Sequence, residues 1–136
     1  MTYRMFISYS QSDWIVVGPI RDRLTELGAE VFLDRDALHY GERFRDRILP
    51  EVERADELVA LLTPTALRRA WLFAEMGVAL RCDVRIVGIM YGGTTLDMLQ
   101  ELGVLSLVGD IHHVVDSQHI DDYYGQVQQR VTAADS

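Results

Sequence analysis

The feature that most constrains this chain is the recurrence of short, nearly continuous apolar runs with helix-sized segments between them. "EVFLD" at 30–34, "ELVALLT" at 57–63 and "VRIVGIMYGG" at 84–93 each end in turn-forming or polar residues. Runs of this length without polar alternation are expected of strands covered on both faces. "YRMFISYS" at 3–10 supplies a first strand and "HHVVD" at 112–116 a last one. Strands alternating with helices at this spacing predict an α/β fold: an open, doubly wound parallel sheet of about five strands with helices on both faces. Ligands of such sheets bind outside the carboxyl ends of the strands. Here those ends are "SYSQS", "LDRDALHYG", "TPTAL" and "YGGTT", and none is a GxGxxG or GxxxxGK[ST] phosphate loop.

The helices between the strands are less regular. Ser10 followed by Asp13 resembles a helix start, and Leu24 and Leu27 carry an apolar stripe to Gly28, a suitable C-terminal stop. Pro19 implies a kink, or a main segment that starts near Gly18 with proline in its first turn. Residues 35–44 are polar and aperiodic, as in a long exposed loop. "RFRDRILPEVERAD" reads as a second helix with a kink or break at Pro50, and further helices are expected over 66–80, 95–102 and 119–131. The domain is therefore expected over 1–131, with 132–136 as a frayed tail or the start of a linker.

The helix "ALRRAWLFAEMGVAL" at 66–80 contains one acid, Glu75, among apolar residues. Its neighbours three and four positions away are Trp71, Leu72, Val78 and Ala79, so no basic residue pairs with it locally. Trp71 and Glu75, at i and i+4, share a helix face, which puts an aromatic plane and a carboxylate in the same space. That arrangement suits a pocket; the alternative is a glutamate at the edge of the buried stripe whose head reaches water.

Composition narrows the chemistry. With 136 residues, 49% of them apolar, the chain supports one domain with a core. No run approaches the roughly 18 apolar residues of a membrane span, and there is no leader pattern, so a soluble cytosolic protein is expected. The net charge of −8 opposes nonspecific binding to nucleic acid or anionic membranes. Every one of the 13 basic residues is arginine, which excludes a P-loop lysine, a Schiff base, and the lysine that accompanies an aspartyl phosphate in receiver domains. Cys82 is the only cysteine, so no intrachain disulfide or cysteine metal site is possible, and a buried free thiol is expected. His39, His112, His113 and His119 show no metal-ligand spacing, and neither a metal nor a cofactor is expected.

In sequence order, "FISYSQSD", "LGAEVFLDRDALHYGERFRDRI", "VALLTPTAL", "WLFAEMGVAL" and "RIVGIMYG" resemble the successive signature blocks of a TIR (Toll/interleukin-1 receptor/resistance) domain, over about residues 4–91. The resemblance implies a flavodoxin-like fold. Trp71 to Glu75 resembles the WxxxE element of bacterial-type NAD-cleaving TIR domains, which implies that Glu75 is catalytic and Trp71 a stacking wall. It further implies that Tyr9 and Ser10 line the pocket, that Asp34 orients the ribose side or the loop, and that Phe44 closes over the base; the alternatives are Tyr9 as a core residue with its hydroxyl capped, Asp34 as a helix or turn cap at the strand end, and Phe44 as an anchor for the second helix. Residues 35–43 match the BB loop, so Asp36, Leu38, Tyr40 and Gly41 are expected at assembly contacts. Some catalytic relatives have basic residues after the first strand where this chain has Ser10 and Gln11; Arg35, Arg43 or Arg45 would then meet the pyrophosphate, or be solvated charges.

The resemblance implies cleavage of NAD+ at the nicotinamide–ribose bond, giving nicotinamide with ADP-ribose or a cyclised isomer, in immune or antiphage defence. It implies self-association into oligomers or filaments, with a sensor domain or partner protein as trigger. The chemistry is plausible with one carboxylate, because nicotinamide leaves as a neutral base from a cationic glycoside and needs no general acid, unlike ordinary glycosides. Two other readings stand beside it: a noncatalytic TIR scaffold, and a nucleoside-processing enzyme of related architecture with a glutamate nucleophile.

Overall fold

A computed structural model describes residues 2–33, 48–103 and 113–135, with Trp71 and His113 described by backbone alone. The chain runs β1 (Arg4–Ser8), α1 (Trp14–Glu26), β2 (Glu30–Leu33), α2 (Leu49–Arg54), β3 (Glu57–Leu62), α3 (Ala70–Arg81), β4 (Arg85–Met90), α4 (Leu96–Glu101), β5 (His113–Asp116) and α5 (Ile120–Ala134). The strands form one parallel sheet in the order β2-β1-β3-β4-β5. The expected α/β fold is therefore the observed one. The order reverses at β1, so the crevice between the carboxyl ends of β1 and β3 is the switch point at which such sheets bind ligands.

Strand alternation divides the core into two layers. Phe6, Leu58, Ala60, Leu62 and Ile86 point to one face, under Val52 of α2, Leu72, Met76 and Ala79 of α3 and Leu99 of α4. Met5, Ile7, Val59, Leu61, Val87 and Ile89 point to the other, under Val17, Ile20 and Leu24 of α1 and Tyr123, Val127 and Val131 of α5. All six residues of β3 are buried, as the apolar run requires for the five that follow Glu57.

Two helices stop by the same device. At the end of α1, the Ala29 N–H donates to the Leu24 carbonyl at 3.2 Å and the Gly28 N–H to the Thr25 carbonyl at 3.0 Å, with Gly28 at φ 102°. At the end of α3, the Val84 N–H donates to Ala79 at 2.8 Å and the Asp83 N–H to Leu80 at 3.2 Å, with Asp83 at φ 58°. Both are Schellman closures, which need a left-handed residue after the cap. Gly28 meets that need without cost, whereas Asp83 does so against its Cβ.

Several expectations are corrected. α1 begins at Trp14 and keeps Pro19 inside it, not in the first turn of a helix starting near Gly18. Pro50 sits in the first turn of α2, where its missing N–H has no helical partner to lose; residues 43–47 of the expected helix lie outside the described residues. The helix expected over 66–80 is divided: Ala66–Arg68 is a 3-10 turn, Arg69 is extended at φ −101° and ψ 124°, and α3 starts at Ala70. The turn forms because Thr63 Oγ1 accepts the Ala66 N–H at 3.0 Å and the Thr63 carbonyl the Leu67 N–H at 3.0 Å, after which the Arg68 and Arg69 N–H groups close i to i+3 bonds on Thr65 and Ala66. Cys82 is exposed, not buried, since the buried stripe of α3 ends at Ala79 and the cap residues face solvent. α5 continues to Ala134, past the end near 131 expected for the last helix.

Candidate active site

The buried stripe of α3 is Leu72, Glu75, Met76 and Ala79, spaced at i, i+3, i+4 and i+7. Glu75 occupies a core position of that stripe and is 0% exposed. Its head does not reach water, which removes the edge-of-stripe alternative. Burying a carboxylate is costly unless hydrogen bonds replace its hydration. Ser8 provides one: its hydroxyl donates to Glu75 Oε1 at 2.5 Å, the short range of charge-assisted O–H···O bonds. Ser8 is the last residue of β1 and shares the face of Phe6, and it stands in register with Ala60 of β3. The small Ala60 side chain leaves the space above the sheet to the serine and the glutamate.

The rim beside this pair is tied down by Thr63, just beyond β3. Its hydroxyl donates to Asp13 Oδ2 at 2.5 Å while accepting the Ala66 N–H, so one side chain links the entry of α1 to the turn that leads into α3. Ser10 is buried, with its Oγ 3.1 Å from Ser12 Oγ.

The sequence-derived candidates thus separate. Glu75 and the end of β1 come together at the switch point. Trp71 is one turn before Glu75 in α3. Tyr9 enters the opposite layer, under α1, with its ring centroid 6.2 Å from that of Trp14. Asp34, Asp36, Leu38, Tyr40, Gly41, Arg43 and Phe44 lie outside the described residues, as do Arg35 and Arg45. Sequence reasoning missed Ser8, although the signal was present: a hydroxyl within a strand covered on both faces needs a buried partner. Among the described residues no group of three or more His, Cys, Asp or Glu side chains is placed to hold a metal ion.

A second buried carboxylate lies at the opposite end of the sheet, and the sequence reading did not single it out. Glu57, the first residue of β3, is 0% exposed and accepts from Tyr3 Oη at 2.6 Å, Arg130 Nη1 at 2.9 Å and Tyr123 Oη. Burial first, then the adjacent Glu57 charge, pushes both tyrosine hydroxyls above their ordinary range. This cluster joins α5 to β1 and β3 and is remote from the switch point.

A five-stranded, doubly wound parallel sheet with helices on both faces defines a flavodoxin-like α/β domain. The profile of the family described as "TIR domain" matches residues 5–128, and the chain belongs to that family. No curated protein sequence matches it. Among solved structures, it is similar to the TIR domain of the Toll-related receptor TRR-2 from Hydra magnipapillata, with 18% identity, a TM-score of 0.65 and 98% of each chain covered. It is similar to a metazoan TIR-STING receptor from C. gigas at 19% identity and a TM-score of 0.65, covering 93% of this chain but only 39% of that one. It is also similar to a 2-deoxyribosyltransferase from the psychrotolerant bacterium Bacillus psychrosaccharolyticus, at 13% identity and a TM-score of 0.67, covering 92% and 90% of the two chains. At these identities the likenesses speak to the fold. Among the described residues no helix is long and apolar enough to cross a membrane.

Proposed function

We propose that this TIR domain cleaves NAD+ at the nicotinamide–ribose bond, with Glu75 as the catalytic carboxylate. The observation that carries the reading is Glu75 itself: a carboxylate in the core stripe of α3, 0% exposed and held by Ser8 at the carboxyl end of β1. An oxocarbenium-like transition state is cationic, and a fixed carboxylate in apolar surroundings stabilises it far more than in water. Nicotinamide leaves without protonation, so no second carboxyl is required. Water captures the cation to give ADP-ribose, or an adenine nitrogen captures it to give a cyclic isomer. Trp71, Ser10, Asp34, Arg43 and Phe44 are the proposed substrate contacts; Tyr9, placed under α1, enters only if it turns.

A carboxylate with no exposed surface cannot touch substrate until neighbouring groups move. The reading therefore includes activation by self-association, through Asp36, Leu38, Tyr40 and Gly41, in immune or antiphage defence, with a sensor domain or partner protein as trigger. The same complete burial favours the second reading, a TIR scaffold in which Glu75 is an internal structural group.

The test is incubation of the protein at low and high concentration with NAD+, and separately with 2′-deoxynucleosides, with products separated and identified by mass, beside Glu75→Gln. Nicotinamide released by the wild type and abolished by the substitution supports the enzyme. Intact NAD+ from visibly assembled protein supports the scaffold, and a free base from nucleosides alone supports a nucleoside-processing enzyme.

A further inference from the structure

The geometry points to Ser8 as the positioning residue for Glu75, fixing Oε1 so that the carboxylate meets the ribose through Oε2. This rests on the NAD-cleaving reading above. Ser8 and Glu75 are both 0% exposed, 67 residues apart in sequence, and joined at 2.5 Å. A glutamate side chain has three rotatable bonds, and apolar walls restrict their swing without selecting which oxygen points where. A hydrogen bond from a rigid strand does select. The backbone of β1 is held on both sides up to Ile7, which pairs with Leu33 and Val59, and Ser8 pairs with Ala60, so the hydroxyl is mounted on the end of an interior strand. A catalytic group needs this kind of support, because displacement of a reacting oxygen by about 1 Å costs on the order of 100-fold in rate.

A serine that merely fills space would behave differently. Alanine in its place would pack equally well and leave the carboxylate anchored by its remaining contacts. If instead the hydroxyl orients Glu75, its loss damages turnover more than substrate capture, since NAD+ is gripped mainly by groups other than Oε1.

The test is steady-state kinetics on assembled protein with NAD+ for wild type, Ser8→Ala and Ser8→Thr. The expected result for Ser8→Ala is kcat lower by about 10- to 100-fold, the scale of one lost hydrogen bond to a charged group, with KM changed less than about threefold. Ser8→Thr, which keeps the hydroxyl, recovers most of kcat. Should Ser8→Ala fail to fold, Ser8→Cys is measured instead, because it keeps the volume and donates only weakly. A folded variant lacking the hydroxyl with kcat within twofold of wild type overturns the assignment.

A second readout does not depend on activity. The side-chain 13Cδ resonance of Glu75, identified by its absence in Glu75→Gln, should shift on removal of the hydroxyl and return in Ser8→Thr, while that of Glu57 stays fixed. An unmoved Glu75 resonance overturns the positioning role. Wild type that leaves NAD+ intact while this resonance responds overturns the NAD-cleaving reading and reduces Ser8 to a structural anchor.

Discussion

Glu57→Gln should be among the most damaging single polar changes in the fold, although it lies far from the proposed chemistry. The carboxylate has no exposure and accepts from two tyrosines and Arg130, whose side chain is only 20% exposed. Glutamine keeps the shape but offers one acceptor oxygen in place of two and presents N–H donors toward groups that themselves donate. Breaking a buried pair while leaving the partner in place costs roughly 3–5 kcal/mol. The lower end applies, at about 3 kcal/mol, because Arg130 can rehydrate through its exposed edge and the tyrosine hydroxyls can rotate. At roughly 2.1 cal/mol/K per residue, a chain of 136 residues unfolds with an entropy near 0.3 kcal/mol/K, so Tm should fall by about 10 °C. Urea titration followed by circular dichroism, with thermal scans on the same samples, measures both. A cost below about 1 kcal/mol with unchanged m would refute the reasoning, since it would mean that the three donors do not depend on the charge.

The same cluster sets an alkaline limit. Tyr3 and Tyr123 have raised folded-state pKa values, so the folded protein keeps protons that the unfolded chain releases above pH 10.0; their contribution is complete below that pH and declines as pH rises beyond it, and Tyr3→Phe should flatten the decline measured by denaturant titration at several pH values. At the two Schellman closures the substitutions should have opposite signs. Asp83→Gly removes the left-handed penalty and should raise stability by about 0.5–1 kcal/mol, whereas Gly28→Ala, whose Cβ would meet Val131 Cγ1 at 3.1 Å with φ at 102°, should lower it by about 1–3 kcal/mol. Thr63→Val deletes the link between Asp13 and the turn before α3, and should cost about 1–2 kcal/mol in urea titration.

What could be read from the sequence followed from short-range pattern. The apolar run 58–62 is buried at all five positions because the strand is covered on both faces of the sheet, whereas Glu57 ahead of it is buried through its hydrogen bonds. Gly28 ends α1 because the local geometry demands a left-handed residue there. Glu75 stood out because nothing at helical spacing could pair with it. Ser8, which does bond to it, is 67 residues away, and no local period carries that information. Glu57 escaped notice for the same reason, with Tyr123 and Arg130 lying 66 and 73 residues beyond it. The start of α3 was misread because Thr63 caps a 3-10 turn through a side chain, a choice that helix propensity does not register.

The strand order has a kinetic consequence. The pairings among the described strands are all parallel, and even the nearest in sequence, Arg4 with Glu30 and Val87 with His113, span 26 residues, while Met5 with Glu57 spans 52. No such contact can zip from a hairpin, so each must close a long loop before it gains anything, which makes for slow collapse to the native topology. Ser8 and Glu75 meet only after β1 has docked against β3 and α3 has settled on both. The geometry of the carboxylate is thus a late-forming property of the whole chain, and recovery of turnover should lag recovery of helical signal when the protein refolds from urea.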